Sequence, residues 1–279
     1  MKGMLPGVAA LVLAVGCGAR TLLTTGEVGA EPSEDASTST GHLGVPGDDS
    51  TRPSGMGRSL VPLTPNSEGS VSGNAVGIQG SWYAYGDCWG LGRPPGACEQ
   101  KGGFPSDECS SIVLPKPGLS FPESPSGAFC LTGKAAAAID SPLGYANIFG
   151  VGIGVDFNDS GGMRMPYDAP NYNVIGFQFD ITGVPTATGG VVRVELPTYQ
   201  TSSLDGAYAN WGETLMNPLP NDGKDMQILF ADVGPFPGET PAKFDQAQLL
   251  SIQFLVPSEA TAIPVTNLCV SNLQAIVQN

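Results

Sequence analysis

The chain has 279 residues, a formal net charge of −14 and a single histidine, with 39 glycines and 25 prolines. Phosphate backbones and anionic lipids need clustered lysine and arginine, so this charge argues against nucleic acid as a partner. The glycine and proline content is about twice the usual level and favours short strands over long helices.

The first segment has the pattern of an export signal. Met1 and Lys2 precede an apolar run over 5–16, which is too short for a transmembrane helix and has the length of a signal-peptide core. It ends in Ala-Val-Gly before Cys17 and resembles the lipobox of bacterial lipoproteins. That resemblance implies a signal peptide over 1–16, a lipidated Cys17, and attachment to the outer membrane or surface of a Gram-negative-type cell. The alternative is an ordinary secretory signal with an incidental cysteine.

The next segment, 17–75, is predicted to be a tether. From residue 24 it is rich in Ser, Thr, Gly and Pro, contains His42, and has no aromatic residue. Such a stretch buries too little apolar surface to offset its ordering entropy, so we expect it to be disordered. All aromatic residues lie between Trp82 and Phe254, which places one domain at 76–279. We expect it to be monomeric.

Short apolar or alternating runs, bounded by turn residues, predict the strands of this domain. Helical periodicity is nearly absent. The architecture predicted is all-β: a two-sheet antiparallel β-sandwich of the jelly-roll type. The strands are Ser81–Tyr85, Ala128–Thr132, Gly150–Phe157, Val174–Ile181, Val191–Leu196, Met226–Ala231, Leu250–Val256 and Asn267–Ile276, with Ser111–Leu114 a weaker candidate.

Five cysteines follow Cys17, and export makes disulfides possible. Cys88, Cys98 and Cys109 lie in an irregular Gly/Pro-rich stretch, where we expect at least one bridge. Cys130 and Cys269 lie on predicted strands near the two ends of the domain and form a second candidate pair. With one histidine and no paired CxxC motif, a zinc site is not indicated.

Two motifs are candidate binding sites for a nucleotide or a metal ion. The glycines of 150–154 lie within a strand, so they do not indicate a dinucleotide loop; small residues there would let aromatic rings pack against the backbone. Asn158 and Asp159 end this strand and could help to hold a structural Ca²⁺, although an ordinary turn explains them as well. No other cofactor is expected.

The candidate binding site is a polar sheet face. Gln178, Arg193, Glu195 and Gln253 alternate with apolar residues on three predicted strands, so one face should be buried and the other polar. Tyr208 and Trp211 lie in or near the following loop. Planar amide, guanidinium and carboxylate groups pair well with sugar hydroxyls, and aromatic rings stack on sugar C–H faces. A plain solvated face would show the same alternation.

Six stretches of 125–279 together resemble carbohydrate-binding-module or galactose-binding-like β-sandwiches, which are non-catalytic jelly rolls of secreted bacterial proteins. The stretches are Phe129–Gly133, 150–158, Tyr172–Asp180, Val192–Pro197, and Leu250–Phe254 with Val270–Ile276. The resemblance implies a core strand at Gly176–Ile181, a strand bordering the ligand face at Arg193–Leu196, and a polysaccharide or glycan as partner.

Two other functions stay open. A structural or adhesion lipoprotein would have no small-molecule site. A glycoside hydrolase or lyase would need two carboxylates about 5–10 Å apart across a cleft, and Asp180 with Glu195 is the pair that one polar face would bring together. The dense acid cluster of jelly-roll glycosidases is missing from Val191–Pro197, so we expect no enzymatic activity.

Overall fold

A computed structural model describes residues 57–86, 110–113, 127–137, 149–160, 163–186, 190–202, 210–236 and 242–279. The described strands are β1 Arg58–Pro62, β2 Ser70–Val71, β3 Gly80–Gly86, β4 Ser111–Val113, β5 Phe129–Ala135, β6 Gly150–Asp156, β7 Asp159–Ser160, β8 Met163–Arg164, β9 Val174–Thr182, β10 Val191–Leu196, β11 Trp211–Met216, β12 Met226–Leu229, β13 Ser251–Pro257 and β14 Ile263–Gln278. Short 3-10 helices cover Pro170–Tyr172, Pro220–Gly223 and Gln246–Gln248. Among the described residues, no helix is long and apolar enough to cross a membrane.

Apart from β7 and β8, which pair with each other, the strands form two antiparallel sheets, which confirms the predicted sandwich. Sheet 1 has the order β12-β9-β14-β5-β4, with β1 also paired to β14, and sheet 2 has the order β11-β10-β13-β6-β3-β2. The chain alternates between the sheets through β5, β6, β9 and β10. It then returns, so that β14 lies between β9 and β5, and β13 lies between β10 and β6. This wrapping is that of a jelly roll.

Aromatic residues from the two sheets meet in the core. Phe157, just after β6, stacks on Phe177 of β9 with ring centroids 4.8 Å apart, and Phe179 meets Phe254 of β13 edge-on at 4.9 Å. Trp82 of β3 stacks on Phe129 of β5 at 4.1 Å. These contacts fix which face of each strand points inward, and hence which faces can meet a ligand.

The predicted strands all appear, most with ends shifted by one or two residues; β5 ends three residues later than predicted, and β14 begins four residues earlier. The strand β11 was missed because its inward-facing positions include Glu213, which breaks the apolar alternation. The core strand implied at Gly176–Ile181 lies within β9.

The predicted start of the domain at residue 76 is wrong for residues 57–75. The strand β1 pairs with β14 from Arg58↔Gln278 to Pro62↔Gln274, and Leu63 and Val71 are buried in the core. Composition did not predict that this segment belongs to the fold, because only a few of its residues are apolar. Those few residues nevertheless complete the core next to the last strand, β14. The signal peptide, Cys17 and the tether up to residue 56 lie outside the described residues and stay predictions.

A disulfide joins Cys130 and Cys269, as the sequence suggested. The two cysteines are directly paired residues of the neighbouring strands β5 and β14. The bridge therefore ties together segments that are 139 residues apart in the chain. Cys88, Cys98 and Cys109 lie outside the described residues, so their bridge stays a prediction.

Candidate site on the outer face of sheet 2

The outer face of sheet 2 carries tyrosine and polar side chains in cross-strand rows. The register places Tyr83 of β3, Gly154 of β6, Gln253 of β13 and Glu195 of β10 side by side in one row. Tyr85, Gly152, Leu255 and Arg193 form the next row. Alternation turns the apolar partners on the same strands inward. The face thus gathers residues that are far apart in the chain.

The glycines of β6 make room for both tyrosine rings. A Cβ atom at Gly154 would lie 2.5 Å from Cζ of Tyr83, and one at Gly152 would lie 2.6 Å from Cζ of Tyr85. The rings therefore rest on the backbone of β6, with centroids 5.8 Å apart. The sequence predicted aromatic packing on these glycines, but the rings come from the adjacent strand of the same sheet.

The Tyr83 end of the face is polar. Gln253 donates its Nε2–H to the hydroxyl oxygen of Tyr83 at 2.8 Å. The guanidinium carbon of Arg164 lies 5.0 Å from the Tyr83 ring centroid, and its Nε is 2.7 Å from Oδ1 of Asp156. Burial is the main cause that raises the pKa of Asp156 to about 6, although the charge of Arg164 opposes the shift. Both side chains are held in place above the sheet.

The Tyr85 end of the face is more apolar. The Tyr85 ring stacks at 6.3 Å on Phe149, which is 41% exposed. Burial raises the pKa of the Tyr85 hydroxyl well above its usual value, and the charge of Glu195 raises it further. The hydroxyl is buried and has no hydrogen-bond partner among the described residues. It is thus a buried polar group, while part of the ring remains accessible on the face.

Arg193 and Glu195 do lie on this face, but they are not a solvated pair as the alternation suggested. They are only 3% and 7% exposed. Arg193 donates to the carbonyl oxygen of Gly234 at 2.9 Å, its Nε lies 3.5 Å from Oε1 of Glu195, and its guanidinium lies over the Phe236 ring. The segment around 210–236 covers them, which a strand pattern cannot reveal. Both side chains therefore contact protein groups rather than solvent.

The predicted single polar face is in fact two faces. Gln178 belongs to β9 of sheet 1, where its amide donates to Asp225 and accepts from Gln227. Asp180 lies on that same outer face, where Asn272 donates to it. The sandwich core therefore separates Asp180 from Glu195, and these two carboxylates cannot flank one glycosidic bond. Alternation gives the inner and outer sides of a strand but not the sheet to which the strand belongs.

Trp211, one of the two aromatic residues expected to flank the face, does not do so. Trp211 pairs with Leu196, whose side chain is in the core, so Trp211 lies on the inner side of the edge strand. Its ring packs near Phe244, and its Nε1–H donates to the carbonyl oxygen of Ala242 at 2.7 Å. Tyr208 lies outside the described residues.

The calcium site suggested at the end of β6 finds little support. The Asn158 side chain accepts from Gln79 and donates to the carbonyl oxygen of Pro166, so it ties two segments together. The neighbouring Asp159 begins β7, which pairs with β8 in a small hairpin. Across the described ranges, no group of three or more His, Cys, Asp or Glu residues could hold a metal ion.

Sequence reasoning missed five residues of the site: Tyr83, Tyr85, Phe149, Asp156 and Arg164. A signal existed for the tyrosines, because they alternate with the inward-facing Trp82 and Ala84 on a strand that was predicted correctly. No local pattern indicates Arg164, which reaches the face only because the β7–β8 hairpin folds back beside β3.

No family model matches the chain, and no curated protein matches it. Among solved structures, the chain is similar to the family 11 carbohydrate-binding module of the cellulosomal cellulase Lic26A-Cel5E of Clostridium thermocellum. The two are 14% identical; the match covers 60% of this chain and 93% of the module, with a TM-score of 0.29. At this TM-score the similarity supports no conclusion about the ligand of this chain.

Proposed function

We propose that this protein binds glycans, without catalysis, on the outer face of sheet 2. The observation that carries the proposal is the pair of tyrosine rings held side by side on the glycines of β6, with Gln253, Asp156 and Arg164 beside them. Sugars present hydroxyls and flat C–H patches on one molecule, and this face offers partners for both. Its groups are also positioned before a ligand arrives, which lowers the entropic cost of binding.

The proposed ligand lies along β6, from the exposed ring of Phe149 past Tyr85 and Tyr83 to Asp156. Seven residue steps of a strand span about 23 Å, which suits an extended oligosaccharide rather than a single sugar. At the apolar end, the rings of Phe149 and Tyr85 would supply stacking surface.

Attachment through Cys17 is part of the proposal. A lipidated Cys17 would place the sandwich at the cell envelope, outside the membrane, where polysaccharides are encountered. The test is whether Cys17→Ala moves the protein from the membrane fraction to the soluble fraction. If the variant stays membrane-bound after a carbonate wash, the lipid anchor is wrong.

A glycan array with the full-length protein, kept in detergent, tests binding. Phe149→Ala should weaken binding to any positive glycan by about tenfold, because an exposed aromatic anchor typically contributes 1–3 kcal/mol. Tyr199→Ala is the matched control, since Tyr199 is also an exposed ring, 59% accessible, but lies in the turn after β10. Loss of binding in the Tyr199 variant instead would move the site to that end of the sandwich.

The same glycans separate binding from the other two functions. An array with no positive glycan would contradict the proposal and favour a structural or adhesion role. Release of reducing sugar or unsaturated product from a bound glycan would show that the protein is an enzyme.

A further inference from the structure

We infer that the Asp156–Arg164 pair is a charge filter that makes the site accept neutral glycans and reject acidic ones. This inference rests on the proposed function and names the class of glycan. It starts from a stack of three layers: the backbone of Gly154, the ring of Tyr83, and the guanidinium of Arg164 above the ring. At this end of the face a ligand therefore meets the guanidinium before it meets the ring.

The Arg164 guanidinium is already neutralised. Its Nε lies 2.7 Å from Oδ1 of Asp156, and the two side chains are 35% and 15% exposed. A second cation on this face, Arg193, is 3% exposed and bound to Glu195 and to backbone carbonyl oxygens. Among the described residues on this face, each of the two cations is thus paired with a carboxylate.

An acidic sugar would bring a carboxylate or sulfate to this arrangement. To pair with Arg164 it would have to displace Asp156 or lie beside it, and two like charges about 4 Å apart repel each other near a protein surface. The net charge of −14 on the whole chain adds repulsion at longer range. The hydroxyls of a neutral sugar can instead bond to the free edges of the ion pair without breaking it.

Two substitutions change the filter in opposite directions. Asp156→Asn keeps the shape of the side chain and leaves Arg164 as an unpaired cation, so acidic glycans should bind better. Arg164→Gln leaves Asp156 unpaired and raises its pKa further, because Arg164 opposes the effect of burial. At a pH well above that pKa, where Asp156 is charged, acidic glycans should therefore be rejected more strongly. Asp222→Asn makes the same charge change as the first variant, but in the exposed 220–223 turn next to β9 of sheet 1, and should change nothing.

The experiment is affinity electrophoresis of the full-length protein in gels that contain neutral polysaccharides with glucose, mannose or galactose backbones. Each polysaccharide is also used after its C6 hydroxyls have been oxidised to carboxylates. We expect the wild-type protein to bind a neutral polymer at least tenfold more tightly than the carboxylated form. Asp156→Asn should shrink this ratio by about tenfold, and Arg164→Gln should enlarge it.

Equal binding of both forms by the wild-type protein would overturn the filter while leaving glycan binding intact. An unchanged ratio in Asp156→Asn would do the same, provided that its melting temperature matches that of the wild type. If Asp156→Asn has a lower melting temperature than the wild type, the Arg164→Gln variant provides the test instead. An affinity ratio of neutral to carboxylated polymer that is smaller in Arg164→Gln than in the wild type overturns the inference. No binding to any polymer would contradict the proposed function itself.

Discussion

At the scale of single residues, burial decides the role of the charged groups in sheet 2. Arg193 lies beneath the 210–236 segment, where it meets Glu195, the backbone carbonyl oxygen of Gly234 and the ring of Phe236. A guanidinium on the same face but at its edge, that of Arg164, keeps a third of its surface in solvent. The first therefore serves stability and the second is available to a ligand.

Arg193→Ala should lower the free energy of unfolding by about 3–5 kcal/mol, because it removes the positive charge beside the buried Glu195 carboxylate, which then keeps the hydrogen bond from Asn210 but no cation. Urea unfolding measures the loss. The double variant Arg193→Met with Glu195→Gln is the control and should lose less, since no uncompensated charge remains. If Arg193→Ala unfolds at the same urea concentration as the wild type, the Arg193–Glu195 pair is open to solvent and the prediction is wrong.

Glu213 should make stability depend on pH. Burial, together with Asp232, raises its pKa from the ordinary 4.5 to about 7, although Arg193 opposes the shift. The folded state therefore holds this proton more tightly than the unfolded state, so its contribution is complete below pH 4.5 and is lost as the pH rises through 7. Asp156 acts in the same direction, at lower pH.

Glu213→Gln should thus stabilise the protein at pH 8 relative to the wild type and change little at pH 4.5. Urea unfolding at the two pH values measures this difference. Glu68→Gln, which removes an exposed carboxylate near β2, is the control. If the wild type and Glu213→Gln differ in free energy of unfolding by the same amount at both pH values, that result would contradict the raised pKa of Glu213.

At the scale of the element, the pairing of β3 with β6 builds the site. The two strands match tyrosines on one to glycines on the other, and the flat rings fill the space that side chains would occupy. A cross-strand pair of this kind couples backbone geometry to binding. A substitution at one of the β6 glycines therefore displaces a tyrosine ring on the proposed ligand face.

Gly154→Ala should push the Tyr83 ring off the sheet, since the new Cβ would lie 2.5 Å from its Cζ. We expect a stability loss of about 1–3 kcal/mol and a larger relative loss of glycan affinity. The hydrogen bond from Gln253 to Tyr83 would break with the displacement. Gly234→Ala is the control, because nothing lies within 4 Å of its Cβ position. Equal affinity for the two variants would show that the ring position does not matter.

At the scale of the whole molecule, residues 57–75 form part of the fold. Leu60 pairs with Ile276, and Leu63 donates its backbone N–H to the carbonyl oxygen of Leu273 at 2.9 Å. Together with the bridge between Cys130 and Cys269, this makes β14 the strand on which distant segments converge.

A chain that begins at residue 57 should therefore melt near the full-length temperature, whereas one that begins at 76 should melt many degrees lower. The shorter chain loses β1, β2 and the buried side chains of Leu63 and Val71, each worth about 1.5–3 kcal/mol. Differential scanning calorimetry compares them. Equal melting temperatures would restore residue 76 as the start of the domain.

Much of this molecule could be predicted from local pattern. The all-β architecture, nearly every long strand, the inward-facing residues such as Phe177 and Val194, and the pairing of Cys130 with Cys269 all followed from alternation and position in the chain. These features depend on the two-residue period of a strand and on burial of apolar side chains. Both can be predicted from residues that are close together in the sequence.

Tertiary structure alone decided the site. Alternation predicted that Gln178 and Arg193 turn away from the core, but only strand order shows that they lie on different sheets. Only the covering 210–236 segment buries Arg193, and only the β7–β8 hairpin brings Arg164 over Tyr83. Strand order and loop cover arise from contacts between residues far apart in the chain, so no local pattern records them, and they placed the candidate site on Tyr83 and Tyr85.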